Sequence, residues 1–393
     1  MASLIFRKGL DRKDAVAGML AENYHSAIVD RIKREDFVYR SGRLTIHLAR
    51  EFGFCYGVDR AVDYAYQTRQ RFPERTVHLT GEIIHNPHVN QKLRAMGVGF
   101  LSDDPGAAER LGPDDVVILP AFGVTVAVLR QLDGRGCTLV DTTCGSVLNV
   151  WKNVRRYCEG GYTSVIHGKA WHEETQATAS QAAEHGGRYL VVLNRDEAHR
   201  LADYIRHGGN RGAFLARFGA TASEDFDPDR DLQRIGLANQ TTMLMSESLE
   251  IGDMLKAALV DRYGVPALTD HFQAFDTICS ATQDRQDAVV RLLEQHSIDV
   301  MIVIGGYNSS NTCNLARICA RARPTFHIAD PDCLVSSDEI RHRPAGGVEV
   351  STHGWLPPSG AIAMGLTSGA STPDNLVGAA IAKLDRLSSQ TSR

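Results

Sequence analysis

Residues 137–157 read CTLVDTTCGSVLNVWKNVRRY, a short β-rich run, a small-residue loop carrying Cys144 and then an amphipathic stretch with helical spacing. The same order returns from Asp276 in DTICSATQDRQDAVVRLL, where Cys279 again follows Asp-Thr and precedes a predicted helix. A third segment, HLAREFGFCYGVDRAVDYAYQ, lacks Asp-Thr but keeps strand, Cys-bearing loop and helix around Cys55. Outward from these, LTIHLA, VVILPA, TSVIHG, YLVVL and VMIVIGG are β-rich runs that each lead through small residues into an amphipathic stretch. That alternation predicts an α/β fold with mainly parallel sheets, and the repeated element predicts three pseudo-repeated lobes. The expected divisions are a helical extension over 1–42, lobes over 43–144, 145–275 and 276–385, and a tail over 386–393. Within the second lobe, the stretch of about 207–234, rich in Gly, Asp and Arg, reads as an insertion or long loop.

Composition narrows the function classes. With 393 residues, 43% hydrophobic and 23% charged, the chain has the makings of a globular protein of two or three domains. No run approaches the roughly 20 apolar residues of a membrane span, and the opening MASLIFRKGLDRKD has no apolar core after its basic residues, so neither a membrane segment nor a targeting peptide is expected. The net charge is −4 and the basic residues are scattered, which gives no footprint for nucleic acid. Eight cysteines without an export signal point to a reducing, cytoplasmic setting in which thiols pack, ligate or react.

Cys55, Cys144 and Cys279 each stand at a strand-to-helix junction, where free N–H groups and the helix dipole favour a thiolate. They are too far apart in sequence for a compact knuckle, so a shared metal has to sit where lobes meet. Three thiolates offered to a four-iron cluster leave one iron open to act as a Lewis acid. Cys137, Cys158, Cys313, Cys319 and Cys333 are expected to be small packing residues.

Glu174, in IHGKAWHEETQATASQA, is the candidate proton donor that a departing hydroxyl needs, although a Glu in the first turn of a helix is more commonly a cap. Ser309, Ser310 and Asn311 stand at the mouth of a helix after MIVIGG, and Ser368, Gly369, Ser371 and Thr372 precede another. Each group alone could be N-capping; together with Ala238–Thr242 they suggest a diphosphate pocket. His78, His85, His88 and His167 are ordinary structural histidines on local grounds.

Taken in order, GFCYGVDRA, GEIIHNPHV, DTTC, HEETQAT, NQTTML, DTICSATQDRQ, YNSSNTCNL and TSGASTPD resemble the motif series of the LytB reductase family over roughly residues 44–385. The resemblance implies a three-lobed α/β fold around a central [4Fe-4S] cluster ligated by Cys55, Cys144 and Cys279, with one open iron. It further implies a diphosphate held by His85, His172, Thr241, Ser309, Ser310, Asn311 and Ser371, with Glu174 supplying the proton. The implied reaction is reductive dehydroxylation of 4-hydroxy-3-methylbut-2-enyl diphosphate to isopentenyl and dimethylallyl diphosphate, the last step of non-mevalonate isoprenoid synthesis. Electrons in the family come from ferredoxin or flavodoxin, and no flavin or nicotinamide motif stands in this sequence to replace them. One departure is Phe122 in ILPAFGVTV, where many family members have His; either Phe122 packs against the substrate's carbon skeleton or Thr125 takes the polar role. The competing readings are an iron–sulfur hydro-lyase or quinolinate-synthase-like enzyme, and a non-catalytic redox sensor.

Overall fold

The computed structural model describes residues 4–104, 106–275 and 277–390, so Asp276, which opens the second Asp-Thr element, and the last three residues of the expected tail lie outside it. The chain divides into two compact units, Met1–Ile5 with Asp104–Cys279, and Phe6–Asp103 with Ser280–Arg393.

In the first unit, strands Phe272–Ala274, Ile235–Asn239, Thr163–His167 and Tyr189–Val192 lie side by side in that order, all parallel. Ile235–Asn239 and Thr163–His167 are buried along their whole length, as parallel strands covered on both faces must be. Val116–Leu119 and Thr138–Asp141 form a further parallel pair. Helices Arg195–His207 and Met245–Tyr263 close one face over Val165, Leu190, Leu237, Ile251 and Leu255.

The stretch 207–234 is not a structureless loop. Asn210 accepts from the Ala213 amide to start helix Arg211–Phe218, and Asp227 does the same for a single turn beginning at Pro228. Phe214 packs 4.6 Å from Tyr204 and 4.7 Å from Phe218, so the segment completes this unit's core. Its Gly, Asn, Asp and Pro are helix punctuation, and its three phenylalanines are the buried payload.

The second unit is built on strands Thr325–Ile328, Val300–Ile304, Ile362–Ser368, Leu44–Leu48 and Val38–Ser41 in that order. All pairings are parallel except the edge strand Val38–Ser41. The residues expected as a helical extension thus contribute helices Lys13–Tyr24 and Ala27–Arg34, and also this edge strand. The sheet's core runs through Ile46, Ile302, Ile304, Met364 and Leu366 to Val377 and Ile381 of the helix Asp374–Gln390. Val77–Leu79 and Val98–Phe100 also pair in parallel. The fold is therefore α/β with mainly parallel sheets, as the alternation predicts.

A backbone-tight point tests the packing of the first unit. A Cβ on Gly236 would run into the ring of Tyr157, whose hydroxyl donates to the Leu237 carbonyl at 2.7 Å. Gly236→Ala is expected to cost about 1–3 kcal/mol by overpacking, read as a lowered urea midpoint with an unchanged m-value.

Candidate functional site

Parallel strands present their carboxyl ends at one edge of a sheet, and the loops there are the customary place for chemistry in open α/β folds. In the first unit the loop after Thr163–His167 carries His172 and Glu174, the loop after Ile235–Asn239 carries Thr241, and Cys279 follows Phe272–Ala274. These three strands are neighbours, which brings the residues together. Glu174 is 3% exposed; its Oε1 accepts from the Thr241 amide at 2.6 Å and its Oε2 pairs with Thr241 Oγ1 at 3.0 Å. The Thr241 carbonyl in turn accepts from the Cys279 amide at 3.3 Å.

Glu174 is not the cap of its own helix. That task falls to His172, whose Nδ1 accepts from the Glu174 amide at 3.1 Å. An accepting Nδ1 makes the neutral ring the Nε2–H tautomer, with Nε2 a donor. Phe122 meets the His172 ring edge to face at 5.9 Å, and Thr125 is engaged as the N-cap of helix Val126–Arg135. Gly123 allows the tight turn after Phe122, with φ of +76° and the Trp151 ring where a side chain would project. The Cys144 amide donates to the Ala121 carbonyl at 2.8 Å, and Thr143 Oγ1 donates to Asp141 at 2.6 Å.

The second unit repeats the plan. Cys55 follows Leu44–Leu48, Ser371 follows Ile362–Ser368, and Ser309 follows Val300–Ile304, again on neighbouring strands. Ser371 Oγ lies 3.4 Å from Ser309 Oγ and 3.2 Å from the His85 carbonyl. Ser309 caps helix Ser310–Ala320 by accepting from the Thr312 amide. Asn311 is 2% exposed; its Oδ1 accepts from the Ala370 amide at 2.9 Å, while its buried Nδ2 has no partner. A buried amide with unspent donors is uncommon in a folded core and has hydrogen-bonding capacity to offer an acceptor. The Ala370 carbonyl accepts from the Cys55 amide at 3.1 Å. His85 Nδ1 lies 2.9 Å from Glu82, which also accepts from Asn308 Nδ2 at 2.8 Å.

All three candidate ligand cysteines are partly exposed and precede helices, and each has its amide tied to a carbonyl of an adjacent loop. By contrast, Cys137, Cys319 and Cys333 are buried, and burial pushes the Cys319 thiol up to about 12 and raises that of Cys158. Cys313 donates to the Tyr307 carbonyl at 3.3 Å.

A family profile described as LytB protein matches residues 46–385. The chain belongs to the LytB family. The 4-hydroxy-3-methylbut-2-enyl diphosphate reductase of Gloeobacter violaceus is 50% identical to this LytB chain over 390 residues, covering 97% of it and 92% of the relative. The reductase of the same name from a Nostoc species is 48% identical over 381 residues, covering 96% and 93%. Among solved structures, one of (E)-4-hydroxy-3-methyl-but-2-enyl diphosphate reductase, the terminal enzyme of the non-mevalonate pathway, superposes with a TM-score of 0.54 at 25% identity. It covers 87% of this chain and 99% of the other. The Plasmodium falciparum reductase shares the fold, with a TM-score of 0.59 at 21% identity over 86% of each chain.

Several supporting residues of this LytB site escaped sequence reasoning. Thr277 accepts from the Asn239 amide and Nδ2 at 2.8 and 2.9 Å, and Asn86 Nδ2 donates to the Ser371 carbonyl at 2.7 Å. Thr277 lies inside the recognised Asp-Thr element, and Glu82 and Asn86 flank His85 in GEIIHNPHV, so motif membership was the available signal.

His167, outside the expected site, is wholly buried beneath it, with Nδ1 2.9 Å from Ser248 Oγ. Burial pushes His167 and His327 down to about 4. An unfolded histidine titrates near 6.5, so the unfolded chain takes up these protons first. Stability is therefore full above about 6.5 and falls as pH drops towards 4. Urea midpoints measured from pH 7 to pH 4.5 should decline, and His327→Gln should make the decline shallower.

Proposed function

We propose that this LytB chain removes the allylic hydroxyl of 4-hydroxy-3-methylbut-2-enyl diphosphate, yielding isopentenyl and dimethylallyl diphosphate at the end of the non-mevalonate isoprenoid pathway. The observation that carries the reading is the near-full-length match to reductases of that name, at 50% and 48% identity. The reaction consumes two electrons and two protons per hydroxyl lost as water. A [4Fe-4S] cluster held by Cys55, Cys144 and Cys279 would supply the electrons singly and a Lewis-acidic iron beside the substrate. The donor set fits: three partly exposed thiols at helix starts, on loops whose amides are already tied down.

The protein's own residues handle the anion and the proton. Ser309, Ser310, Asn311 and Ser371 bind the diphosphate, the Asn311 Nδ2 donors meeting acceptors that the fold itself does not provide. His172 donates from Nε2, and His85, oriented by Glu82, adds a second imidazole. Glu174 protonates the departing oxygen. Its Oε1 is committed to the Thr241 amide, so the acidic hydrogen sits on Oε2, where the Thr241 hydroxyl can both accept and donate. Protonation at either end of the resulting allyl unit accounts for two products. The apolar environment of Phe122 faces the substrate's carbon skeleton in this reading.

Of three lobes over 43–144, 145–275 and 276–385, the first would bring Cys55 and Cys144, the second His172, Glu174 and Thr241, and the third Cys279 with the serines and Asn311 of the cradle. Electrons come from a ferredoxin or flavodoxin, in the cytoplasm. Among the described residues, no helix is long and apolar enough to cross a membrane.

Anaerobic turnover with a strong one-electron donor tests the assignment. The reconstituted parent should form both five-carbon diphosphates, and Glu174→Gln should lower kcat by roughly 100-fold or more with little change in KM. A parent that carries a cluster yet consumes no substrate would sink the reductase reading. Asn311→Leu, by contrast, should raise KM at least about 10-fold, since it deletes binding donors and leaves the acid in place.

A further inference from the structure

Helices Lys13–Tyr24 and Ala27–Arg34 lie outside residues 46–385, the part matched by the LytB profile. They nevertheless pack against the loop that carries Cys55, within one compact unit. The buried Tyr24 ring stands 5.5 Å from Phe54, the residue before Cys55. Its hydroxyl accepts from Tyr66 of the Cys55 helix at 3.0 Å, and Asn23 Nδ2 donates to the same Tyr66 hydroxyl at 3.2 Å. Lys33 Nζ pairs with Asp374 at 2.8 Å and lies 4.9 Å from the centroid of Phe52. Asp374 sits so close under Gly53 that a Cβ there would come within 2.5 Å of its carboxylate.

On its other side the same loop is held by core groups. Arg285 donates to the Gly53 carbonyl at 2.8 Å, and the Gly53 amide donates to Ser368 Oγ at 3.0 Å. Residues 52–55 are thus gripped from two directions, and only one grip belongs to the segment matched by the profile. Between the helices and the loop lies a cavity of about 360 Å³, lined by Leu20, Tyr24, Lys33, Phe54 and Asp59 among others. Removing its walls would let the loop swing and let solvent approach it from behind.

We infer that Tyr24 and Lys33, one on each of these two helices, form a clamp that holds the Cys55 thiolate in place and governs how long an iron–sulfur cluster is retained. The inference rests on Cys55 being a cluster ligand, as proposed above. Tyr24 and Lys33 are positioning residues acting through Phe54, Phe52 and Asp374. Loosening a support behind a metal ligand typically costs about 10- to 100-fold in metal retention.

The test uses reconstituted holoprotein under nitrogen, with iron release to a ferrous chelator followed by absorbance and the reduced cluster followed by electron paramagnetic resonance. The Tyr24→Ala/Lys33→Ala double variant should release iron about 10-fold faster than the parent and show an altered resonance lineshape. Val16→Ala supplies the control, since Val16 is wholly buried on the same helix two turns from Tyr24. It should lower the melting temperature and leave the release rate at the parental value. A parental rate in the double variant would overturn the clamp alone, as would equal acceleration by Val16→Ala, which would mark general destabilisation. A parent that takes up no iron would remove the ligand assignment and the clamp with it.

Discussion

The contact on which the first unit's site depends is the grip of Thr241 on Glu174. A carboxyl group 3% exposed is costly to hold without partners, and Thr241 gives it two, an amide at 2.6 Å and a hydroxyl at 3.0 Å. The same residue's carbonyl fixes the Cys279 amide. Thr241 is itself placed by sheet register: Asn239 pairs with His167, the Gln240 amide donates to the His167 carbonyl at 2.8 Å, and Asn239 is pinned by Thr277. A slip of one residue in strand Ile235–Asn239 would turn its side chains to the opposite face and break the contacts to both Glu174 and the Cys279 loop at once.

Ala370 plays the corresponding part in the second unit. Its amide fixes Asn311 and its carbonyl fixes Cys55, so the Asn311 helix start and the Cys55 loop are joined through one residue. Neither Thr241 nor Ala370 acts mainly through its side-chain size. Each uses both backbone polar groups, which is why a site at strand carboxyl ends can be rigid although it is made of loops.

Much of this was legible before the structure. The strand-loop-helix alternation is an arithmetic property of residue order, and it predicted parallel sheets and the strand-end positions of Cys55, Cys144 and Cys279. Glu174 was ambiguous for a physical reason: a first-turn Glu reads the same whether it turns back to cap its helix or reaches across to a loop 67 positions away. Thr241, Thr277 and Ala370 are invisible to periodicity, because what matters in them is backbone direction set by long-range pairing. Of the two readings of residues 207–234, the long loop gives way to short helices, because cap residues and turn residues are the same amino acids. There the spacing of Phe214, Phe218 and Phe226 carried the missing information, since aromatic residues repeated within so short a span need a core to enter.

Buried polar groups are treated in two opposite ways, and the two units show both. Glu174 has each oxygen engaged, Oε1 by the Thr241 amide and Oε2 by the Thr241 hydroxyl. Asn311 is half spent, with Oδ1 anchored by the Ala370 amide and Nδ2 without a hydrogen-bond partner. His172 stands between these cases. Its Nδ1 accepts from the Glu174 amide at the helix start, an arrangement that in the neutral ring leaves the hydrogen on Nε2. Phe122 preserves that state. A polar residue in its place could offer a competing acceptor or donor to the ring, whereas an edge-to-face aromatic contact at 5.9 Å fixes the ring plane and leaves the tautomer to the helix.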